Sequence, residues 1–180
     1  ILSGPLIATI FLGGNFNTHD LYMTQYSLMA YAFGLIGLSL VLILASAYYA
    51  KQNTKTPVKF GLIAMATNAS LSILFVTTLV LINSPYPHMG LSLAFSCSTL
   101  INAVLLFRGL YREKQIKIGR DEIGFLIRVL VASAVMAVML AFYNPELQVW
   151  LDQSLAGRVI NLMRLIPSAI LVYFFTLFCL

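Results

Sequence analysis

Residues 48–59 read YYAKQNTKTPVK and separate two long apolar stretches. The stretch before this segment, 28–50, and the stretch after it, 60–82, contain no charged residue. Each is long enough to cross the hydrocarbon core of a bilayer as one helix, which takes roughly 20 apolar residues. The three lysines, two tyrosines and one proline of the segment are typical of a turn on the positively charged side of a membrane. The segment therefore predicts a helical hairpin that crosses a membrane.

The composition excludes a water-soluble globular domain. The chain has 180 residues, of which 60% are hydrophobic and 9% charged, and its mean hydropathy is +0.91. A soluble domain carries about 25% charged residues. The net charge of +5 comes from basic residues that cluster in turns, without a basic face interleaved with aromatic residues, so no nucleic-acid partner is predicted.

Apolar runs recur along the whole chain and predict an all-α, polytopic transmembrane helix bundle. One partial span and five complete spans are expected, at approximately 1–12 (partial), 23–50, 58–82, 89–110, 122–143 and 157–180. We expect a single membrane domain over residues 1–180. Because the sequence begins and ends inside apolar runs, we also expect it to be a fragment of a larger transporter.

Basic residues occur only in every second turn. Segment 51–59 holds three and segment 108–122 holds five, whereas the alternate turns hold none. Lys and Arg favour cytoplasmic loops, so this asymmetry predicts the orientation of the chain. The turns expected in the cytoplasm are 51–57 and 111–121, and those expected outside, in the periplasm, are 13–22, 83–88 and 144–156.

Several motifs resemble a known family of membrane proteins. They are Phe11–Phe16 (FLGGNF), Asp20, Thr24, Leu28, Tyr31, Gly34-Leu35, Tyr48–Ala50, Asn53–Val58 (NTKTPV), Gly90–Ala94 (GLSLA) and Asn102–Leu106 (NAVLL). Together they are similar to the C-terminal portion of the MurJ (MviN) family of bacterial lipid II flippases, within the MATE-like (MOP) exporter superfamily. One departure is Asn53, where the family usually has Asp.

The resemblance implies a function and a mechanism. The whole protein would move lipid II, the undecaprenyl-pyrophosphate-linked disaccharide peptide of peptidoglycan synthesis, across the bacterial cytoplasmic (inner) membrane by alternating access. This chain would form the C-terminal lobe of the transporter and would need the N-terminal lobe of the same protein to transport anything. Its other partners would be membrane lipids, and its last two spans would form an apolar groove for the lipid tail.

Three arginines fall in or beside the last two spans, where a charge deep in the bilayer costs about 2.5–3.5 kcal/mol on insertion scales. Arg128 and Arg158 lie near span ends, so either can extend its side chain to the interface. Arg164 lies about 9 Å deeper than Arg158, so it is a candidate to face a groove or a neighbouring helix. With the resemblance, Arg164, Arg158, Asn161 and Arg128 become candidates to guide the pyrophosphate-bearing lipid or line the cavity.

Polar residues in the second and third complete spans suggest two alternatives. Asn68 and Ser72 share a helix face, and Ser96 lies on a polar face of the following span with Ser92 and Thr99. Their oxygens are candidates for a Na⁺ site, or else they form hydrogen bonds between helices. Membrane potential, H⁺ and Na⁺ all remain open as driving forces.

Small and aromatic residues predict packing and interface positions. Ala30, Gly34 and Gly37 lie near one helix face and permit close helix packing. The aromatic residues expected to anchor the chain at the membrane interface are Tyr48, Tyr49, Tyr111, Tyr143 and Trp150.

The sequence contains no enzyme signature, since it has no nucleophile beside a base, no cluster of metal ligands in the spans and no cofactor motif. We therefore interpret the protein as a transporter that needs neither a metal nor a cofactor for catalysis. Two alternatives remain: another MATE-like exporter, for drugs or polysaccharide precursors, and a structural or assembly subunit that transports nothing.

Overall fold

The computed structural model describes residues 1–12, 16–113 and 120–179, with the backbone alone for 120–122. Every regular element in these ranges is an α-helix. The helices are α1 (Ser3–Phe11), α2 (Thr18–Tyr49), α3 (Lys55–Leu81), α4 (Met89–Arg112), α5 (Arg120–Tyr143), α6 (Leu147–Asp152) and α7 (Leu155–Cys179). Backbone groups in hydrocarbon have no water to bond, so apolar runs of this length fold as helices that bond internally. The predicted all-α polytopic bundle is confirmed.

Five of these helices are long and apolar enough to cross a membrane: α2, α3, α4, residues Ile123–Tyr143 of α5, and α7. The longest, α2, has 32 residues, which corresponds to about 48 Å at 1.5 Å per residue. That exceeds the roughly 30 Å of hydrocarbon in a bilayer, so α2 continues beyond its apolar run. The chain is therefore a multi-pass membrane protein by its composition and its helices.

A hydrogen bond at the N-terminal end of α2 explains why this helix extends beyond its apolar run. It begins at Thr18, before the first residue of the span expected at 23–50. The backbone N–H of Asn17 donates a hydrogen bond of 3.0 Å to the carboxylate of Asp20. This is the reciprocal half of a capping box, which satisfies an N–H that the first turn of a helix leaves unpaired.

Large apolar side chains cover the outside of the helices, whereas many buried positions hold small or polar residues. Phe142, Phe178 and Leu81 are among the most exposed side chains, and Ser92 and Ser96 are among the buried ones. Lipid solvates the exposed apolar side chains, and close packing of small residues holds the helices together.

The described chain divides into two compact units. The α5–α7 unit contains α1, the first residues of α2, and α5, α6 and α7, and the α2–α4 unit contains the remainder of α2 with α3 and α4. The assignment of residues 1–180 to a single membrane domain stays a prediction.

In the α2–α4 unit, α2 and α4 approach closely at two glycines. A Cβ atom on Gly34 would lie 2.7 Å from the Ser96 hydroxyl oxygen, and one on Gly37 would lie 2.8 Å from the backbone nitrogen of Leu100. The buried Ala30 completes the same helix face. The close packing predicted from these small residues is confirmed.

Tyr48 is a core residue, so the prediction that it anchors the chain at the interface is wrong. Its side chain is fully buried with Leu44, Leu106 and Leu110. Its hydroxyl donates a hydrogen bond of 3.0 Å to the carbonyl oxygen of Leu106. A buried phenol needs such a partner, and the last turns of α4 supply it. The neighbouring Tyr49 is exposed, as an anchor would be.

Trp150 is also a core residue, and its predicted role as an interface anchor is wrong. It is fully buried, and its indole N–H donates a hydrogen bond of 3.1 Å to the side-chain oxygen of Asn144. Helix α6 packs against α1, where Ile7, Ala8 and Leu21 form a small core with Leu147 and Leu151 packed against it. This core sets the position of the segment that links α5 to α7.

Candidate functional site

A groove of about 590 Å³ lies between α5 and α7. From here on we call it the α5–α7 groove, and its lining residues are Met139, Phe142, Tyr143, Pro145, Asn161, Arg164, Leu165 and Ser168. The four residues from α7 follow the spacing i, i+3, i+4, i+7, which places them on one helix face. The lining combines apolar and aromatic side chains with a strip of polar groups, so the groove suits a ligand that is itself amphipathic.

Arg164 is the cation of this groove. Its side chain is exposed, and no hydrogen bond or ion pair joins its guanidinium to the part of the chain that the structure describes. No Asp or Glu is among the groove residues. A guanidinium is always charged and presents five N–H donors in a planar fork, which suits the oxygens of phosphate. Arg164 is therefore positioned to bind an anionic group.

Asn161 stands one helical turn before Arg164 and is held in place by a side chain from the loop before α7. Its amide N–H₂ donates a hydrogen bond of 2.8 Å to the side-chain oxygen of Gln153. One turn after Arg164, the Ser168 hydroxyl donates a hydrogen bond of 2.9 Å to the carbonyl oxygen of Leu165. Both side chains keep an oxygen that can accept a further hydrogen bond.

Arg158 and Arg128 do not line the groove. Arg158 is buried, with 7% of its surface exposed, and its guanidinium donates to three backbone carbonyl oxygens, those of Trp150, Leu151 and Ala8. Arg128 is exposed on α5, about 16 Å along the helix from the groove residue Met139. Of the four residues predicted to guide the lipid, the structure brings Arg164 and Asn161 together. For Arg158 and Arg128 that role stays a prediction.

A second groove, of about 300 Å³, lies between α1 and α7. Its lining is almost entirely apolar and consists of Thr9, Val159, Leu162, Met163, Ile166 and Pro167. The Thr9 hydroxyl donates to the carbonyl oxygen of Pro5, at 2.7 Å, so the one hydroxyl in the lining is already paired. The groove between the last two spans was expected to be apolar, and that prediction is wrong. This is the α5–α7 groove, and its lining includes Arg164 and Asn161.

The residues predicted for a Na⁺ site do not all bond one another. Ser72 donates a long hydrogen bond, 3.5 Å, to the side-chain oxygen of Asn68 on the same helix. Ser96 donates instead to the carbonyl oxygen of Ala30 on α2, at 2.6 Å. The alternative, hydrogen bonding between helices, is confirmed for Ser96, and the Na⁺ site stays a prediction. Among the described residues, no group of three or more His, Cys, Asp or Glu side chains could hold a metal ion.

Sequence reasoning missed most of the groove. Leu165 and Ser168 could have been found, because they continue the helical spacing that starts at Asn161 and Arg164. The α5 side, represented by Met139 and Phe142, carries no such signal, since an apolar residue that lines a groove looks like one that faces lipid.

Five helices of membrane-spanning length and a groove with an amphipathic lining define a multi-pass membrane protein with a candidate binding site. A family model described as the lipid II flippase MurJ matches residues 1–160. The chain belongs to the MurJ family.

Curated relatives match most or nearly all of the chain. The chain is 38% identical to the probable lipid II flippase MurJ of Haemophilus influenzae over 177 residues, which cover 98% of this chain and 33% of the relative. It is 34% identical to the probable lipid II flippase MurJ of Vibrio cholerae over 173 residues, which cover 96% of this chain and 32% of the relative. The lipid II flippase MurJ of Burkholderia cenocepacia is 32% identical over 133 residues, 74% of this chain and 24% of that protein. The chain thus spans about a third of the length of the first two relatives.

Proposed function

We propose that the intact protein moves lipid II from the inner to the outer leaflet of the bacterial cytoplasmic membrane for cell-wall synthesis. The family match and the names of the relatives support this cargo. The present chain would be the C-terminal lobe, working with the N-terminal lobe of the same protein in a bilayer of membrane lipids. The step is transport, so no bond of the lipid is made or broken.

The observation that carries a role for this chain is Arg164 in the α5–α7 groove, which has no partner among the described residues. A cation without a counter-ion at membrane depth is costly, and such residues mark substrate pathways. Lipid II joins a pyrophosphate to a long apolar chain, and the groove joins a guanidinium to Phe142, Met139 and Leu165. We propose that Arg164 and Asn161 contact the pyrophosphate while the apolar part of the groove holds the first isoprene units.

The proposed mechanism is alternating access, in which one lobe rocks against the other around a cavity. We propose the orientation in which turns 51–57 and 111–121 are cytoplasmic, because the basic residues are concentrated there. In that orientation the rim of the groove, at Tyr143 and Pro145, lies toward the periplasm. The groove would then hold the lipid in the outward half of the cycle.

Complementation tests the cargo and the groove together. The intact gene is expressed in a bacterium depleted of its own lipid II flippase, and both lysis and the accessibility of lipid II at the outer leaflet are measured. Wild type is expected to rescue. In Arg164→Ala, outward lipid II is expected to fall by about 10- to 100-fold, the factor that corresponds to losing a hydrogen-bonded contact to a charged group. Arg164→Lys keeps a point charge but loses the planar fork, so it is expected to fall between the two.

The matched control is Leu171→Ala, an exposed position on the same helix that lines neither groove. It is expected to transport like wild type. If wild type is stably inserted and does not rescue, the cargo is wrong, and another exporter or an assembly subunit becomes the better interpretation. If wild type rescues and Arg164→Ala does so equally well, the flippase function stands and the role of the groove is wrong.

A further inference from the structure

Arg158, near the start of α7, is a buried cation without an acidic partner among the side chains that the structure describes. It is 7% exposed, and the ion pair between Lys51 and Glu113 lies in the other unit, α2–α4. Burying a charge is costly unless dipoles or hydrogen bonds compensate it. Backbone carbonyl groups supply that compensation.

Two of these carbonyl groups belong to the last turns of α6. The Nε of Arg158 donates to the oxygen of Trp150 at 2.7 Å, and Nη2 donates to the oxygen of Leu151 at 2.8 Å. The last four carbonyl groups of a helix have no partner within the helix. Because α6 ends at Asp152, both acceptors are among those four.

The third carbonyl group belongs to a different helix. Nη1 of Arg158 donates to the oxygen of Ala8 at 3.0 Å, across 150 residues of sequence. Ala8 is in the last turn of α1, which ends at Phe11. The C-terminal end of a helix carries a partial negative charge, so one guanidinium here faces two ends that attract a cation.

The loop that Arg158 holds is also the rim of the α5–α7 groove. Trp150 bonds Asn144, which lies directly before the groove residue Pro145. On the other side of α6, Gln153 bonds the groove residue Asn161. The position of α6 therefore determines the position of both sides of the rim.

We infer that Arg158 is a positioning residue: its guanidinium joins the C-terminal ends of α1 and α6 to α7 and thereby sets the rim of the α5–α7 groove, without contacting the transported lipid. All three kinds of guanidinium nitrogen of Arg158 donate to backbone oxygens, whereas those of Arg164 have no such partner among the described residues. The structural part of this inference is independent of the cargo. Its consequence for transport rests on the proposed function.

Hydrogen exchange of the intact, lipid-II-free protein in nanodiscs tests the structural part. In Arg158→Met, the amides of α6 and of the last turn of α1 are expected to exchange about tenfold faster or more, the factor expected from losing one hydrogen bond to a charged group. Arg158→Lys carries one point charge that cannot serve three carbonyl groups, so an intermediate increase is expected. Arg164→Met is the matched control and is expected to leave exchange in both helices unchanged.

The position of the rim is monitored with one cysteine, introduced as Tyr143→Cys into an intact protein from which every other cysteine, including Cys97 and Cys179, has been removed. Its rate of reaction with a water-soluble maleimide is expected to change severalfold on adding Arg158→Lys and to stay constant on adding Arg164→Lys. If hydrogen exchange in Arg158→Lys stays within twofold of wild type, the inference is overturned. Should Arg158→Met fail to insert into the membrane, Arg158→Lys alone provides the test. Faster exchange with an unchanged cysteine reaction overturns the link to the rim.

The third measurement is the kinetics of lipid II transport. Arg158→Lys is expected to raise the apparent KM for lipid II about tenfold with the maximal rate within about twofold, as a displaced binding rim would do. If Arg158→Lys exchanges faster but its KM is unchanged, the hydrogen bonds of Arg158 contribute to stability alone. That result overturns the positioning role. If wild type does not move lipid II at all, the proposed function fails, while the exchange and cysteine results still decide whether Arg158 sets the rim.

Discussion

The contact between α2 and α4 leads to a sharp prediction at Gly37. In most helix interiors, replacing Gly with Ala is stabilising, by up to about 1 kcal/mol, because Ala is the better helix former. At Gly37 the new methyl group would lie 2.8 Å from the backbone nitrogen of Leu100 and 2.9 Å from the carbonyl carbon of Thr99. Both atoms belong to the backbone of α4, so no side-chain rotation relieves the contact.

The structure sets the size of the effect. An ordinary carbon contact begins at 3.4 Å, so α2 and α4 must separate locally by roughly 0.6 Å in a close-packed interior. Overpacking of this kind costs about 1–3 kcal/mol. The separation also lengthens the hydrogen bond from the Thr99 hydroxyl to the carbonyl oxygen of Gly34, already 3.3 Å, and such bonds contribute about 0.6 kcal/mol in membrane proteins.

Gly61 provides the matched control. It is also a helix-interior glycine of the α2–α4 unit, but a Cβ atom there would meet nothing within 4 Å. Gly61→Ala is therefore expected to be neutral or stabilising by up to about 1 kcal/mol. The difference between the two variants cancels the helix-propensity term and is expected to be about 1–3 kcal/mol, with Gly37→Ala the less stable.

The assay is the free energy of unfolding of the intact protein in bicelles or nanodiscs, obtained by steric trapping or by denaturant titration with a fluorescent label on α4. A melting temperature that falls for Gly37→Ala and not for Gly61→Ala would support the same conclusion. If the two variants have equal stability, the close approach of α2 and α4 in the structure is wrong.

Three further predictions concern other contacts. Tyr48→Phe removes the hydroxyl that bonds Leu106 and leaves that carbonyl oxygen in a buried site, so unfolding free energy is expected to fall by about 0.5–1.5 kcal/mol, measured by thermal unfolding. Lys51→Ala breaks the 3.3 Å ion pair with Glu113; both side chains are well exposed, so a double-mutant cycle is expected to show less than about 1 kcal/mol of coupling. Asn68→Ala should abolish any Na⁺ dependence of transport in vesicles if its oxygen is a Na⁺ ligand, and transport indifferent to Na⁺ in the wild type would refute that site.

Much of the fold was predictable because the bilayer removes alternatives. Apolar runs as long as 28–50 are helical, since a single segment satisfies all its own backbone groups without water only as a helix. The stripe of Ala30, Gly34 and Gly37 indicated a close helix contact for the same reason, because small residues let backbones approach where the hydrophobic effect does not drive association. The partner of that stripe, the face of α4 that contains Ser96 and Thr99, became clear only from the structure.

The α7 side of the candidate site could be predicted from the sequence, and the α5 side could not. Arg164 and Asn161 could be chosen from one helix, since depth and spacing are local properties of the sequence. Phe142 and Met139 could not, because an apolar side chain gives no sign of which neighbour it faces.

The positions of the helices, and the residues that share one helix face, can be read from the amino-acid sequence alone, because both follow from local backbone hydrogen bonding and the 3.6-residue period. Which polar groups meet depends on how the helices pack in three dimensions. Trp150 and Tyr48, expected at the interface, are buried by this packing. Arg158 and Arg164 lie six residues apart on one helix and have different surroundings. Arg158 meets the carbonyl oxygen of Ala8, 150 residues away, and such long-range contacts depend on how the helices pack, which local patterns do not encode.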